Sequence, residues 1–310
     1  MSIIERAAEL LRSAPQAPQS PPAPGQQGEM RRRDLIERAS AELDQGTLLP
    51  SNVEPLLQPG KTNASGRLSG TASRQFAVDR ERLRALGLIT PEGERTPLAE
   101  SFRRIKRQIL SNAAKPKPGA PPANLVLVTS ALAGEGKTFC AINLAISLAK
   151  ERDRTVLLVD ADVARRSVPR VLGLHAERGL MEVLLNRNFD LDGLLWKTDI
   201  GGLTVLPAGA AHRHATELLA SDAMRSLLGD LAERYPDRIV VFDSPPLLAA
   251  SEAGALASQV GQIIVVVEAG KTSEATLKRA LGRIDASNVT GLLLNKVEAT
   301  PLEYSYDAYG

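Results

Sequence analysis

Three groups of residues in this 310-residue chain combine reactive side chains with a spacing that chemistry could use. The first is "SALAGEGKT", Ser130 to Thr138, which leaves an apolar run and opens a helical pattern. Small residues let successive backbone N–H groups converge on an anion, and a helix N-terminus adds its positive dipole end. Lys137 suits the β and γ phosphates of a nucleotide, and the Thr138 hydroxyl suits Mg2+. The loop backbone at Ala133, Gly134, Glu135 and Gly136, with Phe139 beyond it, completes a candidate ATP site. Ala131 stands where G-x-x-x-x-G-K-T has its first glycine, a sterically mild exchange. The second group is acidic: "TVLLVDAD" ends in Asp160 and Asp162, and "RIVVFDSPP" carries Asp243. If these runs are parallel strands, the three carboxylates emerge at the edge holding the loop, where Mg2+ requires oxygen ligands. Thr138 and these strand-end carboxylates are the candidate metal ligands. The third group is Tyr304, Tyr306 and Tyr309, three of only four tyrosines, all within the last seven residues, "YSYDAYG". Rings so concentrated in an aromatic-poor chain are candidate phosphoryl acceptors.

Positioning such groups requires a framework, and the chain from Asn124 onward supplies one. Short apolar runs at 124–129, 155–160, 203–207, 238–243, 262–267 and 290–295 alternate with helical segments. Near-continuous apolar strands are covered on both faces, so the pattern predicts an α/β fold with a doubly wound, mostly parallel sheet. Its ligand site lies at the carboxyl ends of the strands. The expected α/β domain spans 119–299, followed by a tyrosine-rich tail at 300–310. Upstream, 74–118 reads as helical. "AVDRERLRALGLITPEG" is a helix stopped by Gly87, Thr90 and Pro91, and "PLAESFRRIKRQIL" sets Leu98, Phe102, Ile105 and Ile109/Leu110 on one face. Residues 13–73 read as a flexible, weakly patterned linker that opens on the Pro/Gln-rich "SAPQAPQSPPAPGQQG"; residues 1–12 read as a short amphipathic helix.

Composition narrows the class. Cys140 is the only cysteine, so no internal disulfide exists, which fits a reducing cytosol. No apolar run reaches the ~18–20 residues a membrane span needs, so any membrane link is expected through a partner. The net charge of +2 implies no polyanionic partner. From Arg74 to Lys117, 11 Lys/Arg stand against 5 Asp/Glu, which reads as a solvated helix face or subunit contact rather than a nucleic-acid surface. His212 and His214 lack further ligands nearby and read as loop residues, and Cys140 reads as packing.

The D-x-D pair at Asp160 and Asp162 is a mark of deviant Walker ATPases, among them the Min and Par switches and the bacterial tyrosine kinases. Partitioning enzymes have a lysine early in the loop, where this chain has Leu132; "AGEGKT" is similar to the P-G-E-G-K-S/T loop of the kinases instead. With "MSIIERAAELL", "RALGLITPEGERTPLAESFRRIKRQIL", "LLVDADVARRSVPRVLGL", "ATELLASDAM", "YPDRIVVFDSPPLL" and "VVVEAGKT", the chain resembles the bacterial tyrosine kinase family, in its exosortase- and exopolysaccharide-associated autokinase branch. The resemblance implies an ATP- and Mg2+-dependent tyrosine autokinase acting in exopolysaccharide synthesis or export. Lys137, Asp160 and Asp162 would be catalytic, with Asp160 assisting the attacking hydroxyl or holding its water network, and Thr138, Asp162 and Asp243 would be the metal or metal-water ligands. Asn295 would touch the adenine, although a strand-end turn role suits it nearly as well.

The family's oligomerisation motif E-x-x-R-x-x-R would be Glu100, Arg103 and Lys106, with Lys in place of the last Arg. Two other patterns depart: Ala164 precedes the arginines at 165 and 166, and His214-Ala215-Thr216 replaces "NP" before "ELL". The implied partners are further copies of the chain and a membrane polysaccharide chain-length or co-polymerase protein as activator. The implied place is the cytoplasm, peripheral at the inner membrane through that partner. The alternatives are a Min/Par-type ATPase switch without kinase activity, and a scaffold that binds ATP but transfers little.

Overall fold

The computed structural model describes residues 75–93, 96–116, 118–186, 191–235 and 237–297. The expected N-terminal helix, the whole 13–73 linker and the three terminal tyrosines lie outside these residues. Chain order begins with β1 (Gln75–Phe76), α1 (Arg80–Ala85) and α2 (Pro97–Ala113). The core continues with β2 (Leu125–Ser130), α3 (Lys137–Ala149), β3 (Thr155–Asp160), α4 (Ser167–Leu172), α5 (Leu180–Leu185), β4 (Trp196–Thr198) and β5 (Leu203–Leu206). It ends with α6 (Ala215–Leu219), α7 (Asp222–Arg234), β6 (Arg238–Asp243), α8 (Ser251–Ala257), β7 (Gln262–Glu268), α9 (Glu274–Leu281) and β8 (Val289–Asn295).

The strands form one sheet in the order β1-β4-β5-β3-β6-β2-β7-β8. All neighbouring pairs are parallel except β4 with β5. The six expected strands are present to within a residue at each end; β1 and β4 were not expected. One set of alternating residues, Leu125, Leu127, Leu157, Val159, Val240, Phe242, Ile263 and Val265, joins a buried cluster with α5, α7, α8 and α9. The intervening Val126, Val128, Val156, Leu158, Ile239 and Val241 are equally buried on the other face, and α3 lies against β2, β3, β5 and β6. Burial on both faces explains why these strands read as continuous apolar runs. Cys140 to Ala149 of α3 are buried throughout, so the phosphate-loop helix is a core element rather than an amphipathic one.

Upstream of β2, the expected helix opening at Ala77 starts later, and a short strand precedes it. Gln75 and Phe76 pair with Lys197 and Thr198 of β4, and Phe76 stacks on Trp196 at 4.0 Å and 12°. The helix begins only after Asp79, whose carboxylate accepts from Arg82 N–H as an N-cap. Thr96 caps α2 in the same way, with Pro97 in the first turn. Phe102 and Ile109 are the buried members of the expected apolar face of α2, while Leu98, Ile105 and Leu110 are half-buried.

Polar ties fasten this helical preamble to the core, among them the following. Ile89 N–H donates to Asn143 Oδ1 in the middle of α3 at 2.7 Å. Lys106 pairs with Glu151 just beyond α3 at 2.5 Å. Gln262 at the start of β7 donates to Ile109 O at 3.1 Å and to Ala123 O, and accepts from Asn112 at 3.0 Å.

Candidate active site

The phosphate loop bridges β2 and α3. Gly134 and Gly136 hold φ of +84° and +91°, the left-handed region open to glycine, and Gly136 leads directly into α3. At Gly136 the close packing also demands glycine, because a Cβ there would come 2.1 Å from Asn295 Nδ2. Leu132, Ala133 and Gly134 are exposed at the loop tip, Glu135 and Lys137 are buried, and Gly136, Thr138 and Phe139 are half-buried.

The acids converge on this loop. In the sheet register Asp160 is opposite Asp243, and Asp243 is opposite Val128, two residues before the loop. The carboxylates therefore sit at the same sheet edge as the loop. Asp243 Oδ2 accepts the Thr138 hydroxyl at 2.7 Å, and the Thr138 oxygen lies 3.3 Å from Ser167 Oγ. Lys137 Nζ lies 3.2 Å from Asp162 Oδ2, an ion pair with both side chains almost fully buried. Asp160 Oδ2 accepts Val168 N–H at 3.0 Å.

Crowding three acids in a buried place has an electrostatic cost. Burial first, then repulsion from Asp243, holds the Asp160 carboxyl well above the usual carboxylate range. Asp243 is pushed up to about 7 by burial, which outweighs the opposing pull of Lys137 and the Thr138 hydrogen bond. Asp160 Oδ1, Asp162 Oδ2 and Asp243 Oδ1 are all buried without a hydrogen-bond partner in the protein; the ammonium beside Asp162 is close but not aligned for one. Buried acceptors of this kind fit a hard, oxygen-seeking cation. Among the described residues no group of three or more His, Cys, Asp or Glu could hold a metal ion by itself. Mg2+ needs only one or two carboxylates when phosphate oxygens and waters supply the rest.

Two sequence expectations meet different surroundings. Asn295, at the end of β8, donates from Nδ2 to Glu135 O at 2.9 Å and so braces the loop backbone. Of the three α2 residues expected at a subunit contact, Glu100 pairs with Arg103 within the helix, while Lys106 is 8% exposed and engaged with Glu151. The ammonium of Lys106 is thus turned into its own chain. Thr272, in the turn after β7, was not singled out from the sequence, yet its hydroxyl donates to the Glu135 carboxylate. Its position after a core strand at the carboxyl edge was the available signal. Cys140 is buried as expected, and burial together with the nearby Asp243 raises its thiol far above the usual range.

The terminal tyrosines lie outside the described residues, but the place from which they depart does not. Glu268 of β7 pairs with Asn295, and Val266 of β7 pairs with Ser130 at the loop entrance. The chain therefore leaves β8 at the edge where the loop and acids meet.

Comparison with known proteins agrees with this geometry. The model of an AAA-domain family matches residues 124–292, more than half of the chain. Tyrosine-protein kinase YwqD of Bacillus subtilis (strain 168) is 32% identical over 184 residues, covering 58% of this chain and 76% of its own length. Tyrosine-protein kinase ptk of Acinetobacter johnsonii is 31% identical over 183 residues, and there the match spans only 24% of the relative's length. Among solved structures, the kinase domain of Escherichia coli tyrosine kinase ETK superposes with a TM-score of 0.58 at 26% identity, covering 71% of this chain and 86% of that domain. Matching loop, strand-end acids, sheet and relatives together, the chain belongs to the bacterial tyrosine kinase family, built on an AAA-domain P-loop fold.

Proposed function

We propose that this chain is an ATP-dependent protein-tyrosine autokinase whose acceptors are Tyr304, Tyr306 and Tyr309. The observation that carries the reading is that a phosphate loop, three buried strand-end acids and the departure point of the tyrosine-bearing tail share one sheet edge. About a dozen extended residues reach roughly 40 Å at ~3.3 Å each, enough for the tail to enter the site of a neighbouring copy.

The reaction is transfer of the γ-phosphoryl group of ATP to a tyrosine oxygen, with the tyrosine proton leaving to a base and ADP departing. The loop backbone from Ala133 to Gly136 and the α3 N-terminus receive the phosphates, Phe139 lies in the first turn behind them, and Lys137 swings from Asp162 to the β and γ oxygens. Thr138, Asp162 and Asp243 hold the metal site, where Mg2+ when bound neutralises phosphate charge. Asp160 orients the acceptor hydroxyl and takes its proton. Asn295 acts through the loop rather than by reading the base.

Assembly and control follow from the same layout. Glu100 and Arg103 on α2 face a second copy, with Lys106 retained as an internal strut. An unmodified tail docked in a neighbour's site holds the oligomer; each phosphate adds about −1.5 to −2 charge, next to Glu303 and Asp307, and expels it. No helix among the described residues is long and apolar enough to cross a membrane. The proposed activator is the cytoplasmic segment of a membrane co-polymerase of polysaccharide export. The resulting place of action is the cytoplasmic face of the inner membrane, and the process is exopolysaccharide synthesis.

A mixing experiment tests the transfer. A Lys137→Met chain carrying the tail is incubated with Mg-ATP and a chain lacking residues 300–310. Phosphotyrosine on the Lys137→Met chain supports transfer between copies. Release of inorganic phosphate with no phosphotyrosine on either chain would instead select a Min/Par-type switch.

A further inference from the structure

We propose that the Glu135 side chain, with Thr272, is a positioning clamp that holds the phosphate loop in its binding shape and ties it to the strand ends from which the tail departs. This inference rests on the reading of the loop as the nucleotide site. Glu135 lies inside the loop, where a carboxylate facing a triphosphate would repel it. It is instead 2% exposed and turned inward. One oxygen, Oε2, accepts Leu132 N–H at 2.6 Å, closing the loop on itself across three residues. The other, Oε1, accepts the Thr272 hydroxyl, which is also buried. The backbone carbonyl of the same residue accepts Asn295 Nδ2.

Both anchors are themselves fixed. Thr272 N–H donates to Glu268 O at 3.1 Å, and Ala269 N–H donates to Asn295 O at 2.9 Å. The β7–α9 turn and the end of β8 are therefore joined to each other and to Glu135. The need for such a clamp follows from the composition of the loop. Ala133 and Gly134 are small and exposed, and a loop of this kind has many conformations to lose when it closes on an anion. Fixing it beforehand transfers that cost from binding to folding. Glu135 and Thr272 thus act through the loop backbone without touching the nucleotide.

The test uses the full chain with Thr272→Val, which keeps the shape and removes the hydroxyl, Thr272→Ser, which keeps the hydroxyl, and Glu135→Gln. Two quantities are read: hydrogen exchange at the Leu132 amide in nucleotide-free protein, and Mg-ADP affinity by titration calorimetry. Thr272→Val is expected to speed Leu132 exchange and weaken Mg-ADP binding about tenfold each, the order expected for losing a hydrogen bond to a charged group. Thr272→Ser is expected to stay within about twofold of wild type, and Glu135→Gln to fall between.

A Thr272→Val chain that is merely less stable, with wild-type Leu132 exchange and Mg-ADP affinity, would overturn the clamp. Should that variant fail to fold, Glu135→Gln decides by the same two readouts. The exchange measurement separates this idea from the kinase reading. Both Thr272→Val effects in a protein that binds Mg-ADP but forms no phosphotyrosine would sink the proposed function and support the clamp.

Discussion

Replacing Asp243 with asparagine should make the protein more stable, and increasingly so as pH rises. Asp243 and its cross-strand neighbour Asp160 are both wholly buried, and Asp243 is moved from 3.8 to about 7 in the folded chain. Between those values the folded chain holds a proton that the unfolded chain has released. Stability is therefore fully present below the unfolded value, falls as pH climbs to about 7, and is flat above it. The cost of the shift is about 4 kcal/mol at pH 8 and about 2 kcal/mol at pH 5. Asparagine carries no such cost. It can still accept the Thr138 hydroxyl, and it removes the repulsion that raises Asp160, which acts in the same direction. Urea denaturation of wild type and Asp243→Asn at pH 5 and pH 8, without nucleotide, reads the difference directly. The expected outcome is a variant whose advantage grows by about 2 kcal/mol from the lower to the higher pH. An advantage that stays constant or shrinks would refute the picture of an acid held neutral by burial.

Other outcomes follow from particular contacts. Gln262→Leu leaves the buried carbonyls of Ile109 and Ala123 without their shared donor. It should cost about 2–4 kcal/mol in denaturant unfolding and loosen α2, seen as faster proteolysis near residue 116. Gly136→Ala meets both a left-handed backbone and the Asn295 amide, so Mg-ADP binding should fall by more than a hundredfold in calorimetry; Gly136→Ala with Asn295→Ala should recover only the part due to the clash. Cys140 is buried with its thiol held protonated, so a chromogenic disulfide reagent at pH 8 should not react with native protein and should react fully in urea.

Much of the framework was visible in the sequence because its causes are local. A strand covered on both faces must be apolar throughout, and six such runs stood out for that reason. The parallel arrangement then fixed which edge Asp160, Asp162 and Asp243 would share with the loop. The elements that escaped notice depend on partners distant in sequence. β1 is two residues long and exists because Phe76 stacks on Trp196, 120 residues away, while β4 runs against β5 at a position where three residues give no periodic signal. Within the site, residue types were legible but side-chain directions were not. Glu135 belonged to a recognisable phosphate loop, yet only packing shows its carboxylate turned toward Thr272. Lys106 matched a motif position, yet Glu151 takes its charge inside the chain.

The central claim is that the chain moves phosphate from ATP to its own terminal tyrosines. The most direct measurement is tandem mass spectrometry of purified protein after incubation with Mg-ATP, beside the Lys137→Met variant. Phosphate is expected on Tyr304, Tyr306 and Tyr309 in the wild type and on none of them in the variant. Unmodified tyrosines in a wild type that binds or hydrolyses ATP would contradict the claim.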